Sequence, residues 1–75
     1  MILERRKDGT FVFALHREEF FADAGKTFLA AIKSEIVPGD RRYDPDNYQW
    51  VIADRCLPVV RLLADSIGVT IDEDD

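Results

Sequence analysis

The stretch that decides the fold is PGDRRYDPDNYQWVI, residues 38–52. Its centre, DPDN at residues 44–47, has aspartate first and proline second, as a type I turn favours. We expect Asn47 to take the left-handed conformation that returns the chain. The flanking segments, residues 41–43 and 48–53, are then the two strands of a β-hairpin.

The register of this hairpin decides which side chains share a face of the sheet. A four-residue loop pairs Tyr43 with Tyr48. In that register Arg41 lies opposite Trp50, whereas a three-residue loop places Arg42 there. Because a slip of one residue moves a whole strand's side chains to the other face, the two registers present different surfaces. The sequence leaves both open.

The segment TFVFALH, residues 10–16, predicts a strand before the hairpin. It is rich in β-branched and aromatic residues, and its apolar residues fall on both faces. We therefore expect an interior strand. A weaker strand is predicted at residues 2–5, joined to it through a turn at residues 7–9.

A first amphipathic helix is predicted from apolar residues spaced three and four apart. It ends before Pro38, because a proline disfavours helical geometry in the residue that precedes it. Its start has two candidates. Either Asp23 caps a helix that begins at Ala24, or the helix begins near Glu18 and tolerates Gly25 at a cost of about 1 kcal/mol.

A last helix is predicted around residues 56–67, with Pro58 in its first turn and Gly68 just past its end. Residues 69–71 either add an edge strand or fold back on the helix end. The predicted fold class is therefore α+β: a β-α-β-β-α domain with a three- or four-stranded antiparallel sheet and both helices on one face. The other face is then open to bind a partner or to dimerise.

Length and charge set further limits. The chain has 75 residues, enough for one small domain, which we place at residues 1–71 with an acidic tail at residues 72–75. The formal charge of −5 argues against a nucleic-acid partner, but the last four residues are all acidic, which leaves eleven acidic against ten basic residues in the rest. We interpret the tail as solvated, with competition against a polyanion for a basic face as the alternative.

Residue types that carry chemistry are few. The single Cys56 has no partner for a disulfide or a zinc site and is interpreted as a core residue in a reducing compartment. No apolar run suggests a signal peptide or a membrane span, so we expect a cytoplasmic protein without membrane contact. The chain is expected to be a monomer or a homodimer.

Three candidate catalytic or ligand motifs fail. AGKT at residues 24–27 resembles the end of a phosphate-binding loop, but Phe20 stands where that loop needs glycine. His16 has no second ligand at a metal-binding spacing. Glu18 and Glu19 are explained by a helix start rather than by acid-base chemistry. We expect no catalytic residues, no metal, no cofactor and no enzymatic activity.

One cluster of basic and aromatic residues remains. Lys33, Arg41 and Arg42 fall close together where the first helix runs into the hairpin, beside Tyr43. Arginines next to exposed rings can hold a phosphate while a base stacks. The alternative is that Arg41 and Arg42 are edge-strand charges that prevent sheet-to-sheet aggregation.

The order of these residues resembles the HARP-type domain of annealing helicases, and it is similar to the small N-terminal domain of phage-type repair and branch-migrating helicases. That pattern is a strand, a helix ending in lysine, PG, basic residues, an aromatic followed by aspartate, a short turn and a strand with tryptophan. The matching positions are Lys33, Pro38, Gly39, Arg42, Tyr43, Asp44 and Trp50.

This resemblance implies a non-enzymatic DNA-binding accessory domain that acts with a helicase in repair or recombination. Single-stranded or branched DNA would bind at Lys33, Arg41 and Arg42 through phosphate and at Tyr43 through base stacking. Trp50 is assigned first to packing and second to ligand contact. The alternative is a protein-interaction or regulatory module that uses the open sheet face for a helicase or another protein.

Overall fold

The computed structural model describes residues 1–74 as an α+β fold, which confirms the predicted class. A five-stranded sheet is combined with two longer helices and one short helix. The elements in chain order are β1 (Ile2–Arg5), β2 (Thr10–Ala14), α1 (Arg17–Phe21), α2 (Asp23–Glu35), β3 (Arg41–Asp44), β4 (Gln49–Ala53), α3 (Leu57–Ile67) and β5 (Asp72–Asp74).

The strand order is β3-β4-β2-β1-β5, and β5 runs parallel to β1 while the other neighbours are antiparallel. The central position of β2 confirms that it is an interior strand. The sheet differs from the expected three or four antiparallel strands because the acidic end of the chain adds a fifth. The amide of Asp72 donates a hydrogen bond to the carbonyl of Met1 at 2.8 Å. The edge strand β5 therefore begins at residue 72, three residues further along the chain than the edge strand considered at residues 69–71.

Both longer helices cover one face of the sheet, as predicted. Phe11 and Phe13 of β2 point toward them, and the Phe13 ring meets Phe28 of α2 edge-on at 5.6 Å between centroids. The buried core comprises Met1, Leu3, Phe11, Phe13, Phe28, Ile32, Ile36, Ile52, Cys56, Leu57, Val60, Ala64 and Val69. Burial of these side chains is the main source of stability in so small a domain.

The opposite face of the sheet exposes little of its apolar centre. Val12 lies directly opposite Val51, and these side chains are only 4% and 8% exposed. Glu4 and Arg42 flank this pair on the neighbouring strands. Although no helix covers this open face, its centre offers a partner little exposed apolar surface.

The first helical region is split, so a helix begins near each of the two proposed starts, but the cap assigned to Asp23 is wrong: Asp23 is the first residue of α2, and Ala22 is its cap. A short α1 begins at Arg17, and a separate α2 begins at Asp23, because Ala22 between them is extended (φ −79°, ψ 152°). An added Cβ on Gly25 would lie 1.7 Å from the carbonyl oxygen of Glu19. Gly25 is therefore not a destabilising residue that one continuous helix tolerates. Glycine is required at this position because α1 approaches α2 too closely for any side chain.

The end of α1 nearest the sheet is held by one carboxylate. Glu19 accepts a hydrogen bond from the amide of His16 at 2.9 Å, and its Oε1 lies 2.6 Å from the buried ammonium of Met1. Partial burial alone would raise the pKa of Glu19, but these donors outweigh it and the pKa is lowered. The carboxylate therefore fixes α1 beside the start of β1.

The hairpin adopts neither of the two predicted registers. Tyr43 pairs with Trp50, and Asp44 pairs with Gln49, so the four-residue loop is residues 45–48. Asp44 belongs to the strand and organises the loop, because its carboxylate accepts bonds from the Asp46 amide at 3.1 Å and the side chain of Asn47 at 2.9 Å. The left-handed position falls on Tyr48 (φ 52°) rather than on Asn47.

Candidate ligand-binding groove

A groove of about 900 Å³ lies between α1 and the β3–β4 hairpin. Its floor and walls come from the end of β2, from α1, from the middle of α2 and from the hairpin. Five of its nine lining residues are aromatic: the lining is Ala14, Leu15, Arg17, Phe20, Phe21, Leu29, Tyr43, Tyr48 and Trp50. A surface concavity so rich in aromatic rings is typical of a ligand or partner site.

Four of these rings are open to solvent. Tyr48 is 79% exposed, Phe21 64%, Phe20 52% and Tyr43 43%. Phe20 and Phe21 contact each other edge-on at 5.3 Å, so they form one aromatic wall on α1. Exposed rings of this size lose the free energy that their burial would have contributed to folding, so the groove is a marked apolar feature of the described surface.

Trp50 connects the groove to the core. Its ring stacks on Phe13 at 6.5 Å with an interplanar angle of 16°, and Tyr43 meets it edge-on at 5.2 Å. The ammonium of Lys33 lies 5.9 Å from the centroid of the Trp50 ring, a cation–π distance. Trp50 thus packs against the core, the first role assigned to it from the sequence, and it also lines the groove; its contact with a ligand stays a prediction.

Arg41 has a structural task. Its Nε donates to the carbonyl of Ile36 at 2.9 Å, and its Nη2 donates to the carbonyl of Lys33 at 3.3 Å. These carbonyls belong to the last turn of α2 and to Ile36, the residue that caps it, where backbone acceptors lack partners within the helix and a cation is favourable. Arg41 therefore ties β3 to the end of α2.

Arg42 lies on the other side of the sheet. It pairs with Val51 on the face away from the helices, whereas Tyr43 pairs with Trp50 on the helix side. The five residues proposed from the sequence are thus divided. Lys33, Tyr43 and Trp50 come together beside the groove, Arg41 is engaged by the end of α2, and Arg42 faces away.

Seven of the nine lining residues were not proposed from the sequence, and four of these seven have aromatic or charged side chains: Arg17, Phe20, Phe21 and Tyr48. Phe20 and Phe21 lie on α1, a helix of five residues in which none is buried, so both rings stay at the surface. Two neighbouring phenylalanines in the short, otherwise charged segment REEFF, residues 17–21, are the signal in the sequence for an exposed aromatic wall. Tyr48 carried no such signal, because its position depends on the loop register.

A second polar cluster lies at the end of β4. Arg55 forms an ion pair with Asp40, and the hydrogen bond from Arg55 lowers the pKa of Asp40. Cys56 lies nearby, with its Sγ 3.7 Å from an Asp40 oxygen. Burial, followed by the charge of Asp40, raises the pKa of Cys56. The thiol stays protonated at neutral pH and behaves as the core residue that the sequence predicted.

The acidic end of the chain lies at the opposite edge of the sheet from the β3–β4 hairpin, but its Asp72 is close to His16, the residue before Arg17 of the groove. In the strand order, β5 is separated from β3 by four strand spacings, about 19 Å. Asp72 lies 3.8 Å from His16, and Glu73 forms an ion pair with Arg61. The first three residues of the predicted tail are therefore part of the sheet, and their placement does not cover Lys33 or Arg42.

Comparison with known proteins adds no relative: a scan against protein-family models, a search of curated proteins and a search of solved structures each find no match. Within residues 1–74, none of the helices has the length and apolar character needed to cross a membrane. The same residues contain no cluster of three or more histidine, cysteine, aspartate or glutamate side chains arranged to hold a metal ion. The groove is therefore the feature from which a function can be inferred.

Proposed function

We propose that this protein is a non-enzymatic DNA-binding accessory domain and that single-stranded DNA binds in the aromatic groove. The single observation that carries the proposal is the set of four exposed rings, Phe20, Phe21, Tyr43 and Tyr48, around one concave surface. Unpaired bases stack on such rings at about 1–3 kcal/mol per base. The resemblance to HARP-type domains supports a role beside a helicase in repair or recombination.

The charged side chains named at the groove are positive, which suits a polyanion, although the net charge of the chain is −5. Arg17 lines the groove, and Lys33 lies over the Trp50 ring beside it. A strand whose bases face the rings would place phosphates within reach of these two cations. We therefore assign phosphate contact to Lys33 and Arg17, and keep Tyr43 as a stacking residue.

The salt dependence of binding tests this assignment numerically. For a single strand the slope of log K against log salt is about −0.7 per phosphate neutralised, so two cations give about −1.4. Raising salt from about 50 to about 200 mM should then weaken binding by about sevenfold. If Arg41 and Arg42 also contacted phosphate, the loss would be about fiftyfold.

The experiment is a fluorescence-anisotropy titration of labelled single-stranded, forked and duplex DNA. We expect the single-stranded and forked probes to bind and Lys33→Ala to reduce both affinity and salt slope. Arg42→Ala is the matched control, because its side chain lies on the other face of the sheet. Absence of binding at low salt up to roughly 0.1 mM protein, the weak end of non-specific affinity, would refute the proposal.

The second candidate is a protein-interaction module that uses the same groove for the apolar side chains of a partner. Two observations favour it: Phe20 and Phe21 offer an apolar wall, and the chain carries a net charge of −5. A photo-crosslinking amino acid in place of Phe21 separates the two candidates. Crosslinks to one protein and none to added DNA would support the second; crosslinks to DNA that oligonucleotide competes away would support the first.

A further inference from the structure

Tyr48 combines three properties that folding alone does not explain. Among residues 1–74 it is the one residue other than glycine with a positive φ, 52°. Its side chain is 79% exposed, the largest exposure among the large apolar and aromatic side chains described. It also lines the groove, opposite the wall formed by α1.

The left-handed backbone is unfavourable for tyrosine. An L-residue at positive φ brings its Cβ close to the following carbonyl oxygen, a crowding that glycine lacks and that asparagine tolerates best among the others. Asn47 is the adjacent residue, yet the register set by Asp44 and Gln49 puts Tyr48 in this position. The hairpin would close more easily with asparagine there.

Burial does not compensate for this strain. A ring so exposed contributes little to the hydrophobic core, because apolar surface stabilises a fold only when it is removed from water. Residues held in sparsely populated backbone conformations cluster at ligand sites, where the conformation aims a side chain. At Tyr48 the conformation places an aromatic ring on the hairpin side of the groove.

We propose that Tyr48 is the hairpin-side ligand contact of the groove and that its ring stacks on an unpaired base of single-stranded DNA. This inference rests on the proposed function. Phe20 and Phe21 supply the facing wall, so a base that enters meets aromatic surface on both sides. This role predicts opposite effects on DNA affinity and on thermal stability. Replacing the ring with a residue that tolerates positive φ should weaken DNA binding and should relieve the backbone strain at position 48.

The test compares Tyr48→Asn, Tyr48→Phe and the control Val37→Ala, which changes an exposed apolar residue outside the groove. The probe is labelled oligo-dT of about 12 nucleotides, within the span of a single stacking platform. We expect Tyr48→Asn to keep or raise Tm, by up to about 6 °C. Its affinity should fall at least about fivefold, the lower limit for losing one stacked base.

Tyr48→Phe keeps the ring and should bind within about twofold of the parent chain, as should Val37→Ala. If Tyr48→Asn binds as tightly as the parent, the inference is overturned and the proposed function stands. If the parent itself fails to bind oligo-dT, both are overturned. A clear fall in Tm for Tyr48→Asn would also overturn the inference, because it would show that the ring supports the fold.

Discussion

Gly25→Ala is the sharpest test of how the groove is built. An added Cβ would lie 1.7 Å from the carbonyl oxygen of Glu19 and 2.6 Å from its carbonyl carbon. To restore an ordinary separation of about 3.5 Å, α1 would have to move by roughly 1.8 Å. Since α1 carries Phe20 and Phe21, the substitution displaces one wall of the groove.

The magnitude follows from two opposing effects. Overpacking costs about 1–3 kcal/mol, and we take the upper end because the clash is with backbone that cannot rotate away. Replacing glycine by alanine inside a helix returns about 1 kcal/mol of propensity. The net destabilisation is about 2 kcal/mol, which for a domain of this size lowers Tm by roughly 8–16 °C.

The assay is thermal denaturation followed by circular dichroism, together with the oligo-dT titration. Gly39→Ala is the matched control, because an added Cβ there has no neighbour within 4 Å. We expect the control to change stability by less than about 0.5 kcal/mol. If Gly25→Ala were as stable as the parent chain, α1 would not approach α2 as described and the groove would lack its aromatic wall.

Three further predictions concern stability. Arg41→Ala should lower the free energy of unfolding by about 1 kcal/mol in a urea titration, because it removes the hydrogen bonds at the end of α2. The control Arg42→Ala should change this free energy by less than about 0.5 kcal/mol. Equal effects of the two substitutions would contradict the placement of these side chains on opposite faces of the sheet. The hydrogen bond from Asn47 lowers the pKa of Asp44 in the folded protein. The Asp44 carboxylate therefore stabilises the fold above its ordinary pKa of about 4, and this stabilisation is lost as pH falls through the lowered value. Thermal melts between neutral and acidic pH should therefore show a smaller loss of Tm in Asp44→Asn than in the parent, and parallel losses would refute this. Phe28→Ala removes a fully buried ring at a cost of about 3–5 kcal/mol, which is roughly a quarter or more of a total stability of about 4–11 kcal/mol. The urea midpoint should fall by at least that share, and an unchanged midpoint would contradict the burial of this ring.

The layered fold could be predicted because it depends on patterns that the sequence shows locally. Apolar residues on both faces of residues 10–16 predicted an interior strand, and the three-and-four spacing predicted the helices α2 and α3. The fifth strand could not be predicted in the same way. Its residues are acidic, and they pair because β1 presents a free edge, a property of the tertiary structure rather than of residues 72–74 themselves.

The candidate site was predicted only in part, because its composition depends on register and on long-range contacts. Lys33, Tyr43 and Trp50 were found from their order along the chain, and they lie together. The neighbouring Arg41 and Arg42 were grouped by sequence, but adjacent residues of a strand point to opposite faces. Tyr48 entered the groove through a shift of the loop by one position, which depends on the hydrogen bonds of the Asp44 carboxylate.

The central claim is that the aromatic groove is the DNA-binding surface. The most direct measurement is a ¹H–¹⁵N NMR titration of the protein with oligo-dT, which reports each backbone amide separately. We predict that the largest shift changes map to α1 and to the tip of the hairpin around Tyr43 and Tyr48. Changes centred on Arg42 and the open sheet face, or no changes at saturating oligo-dT, would contradict the account.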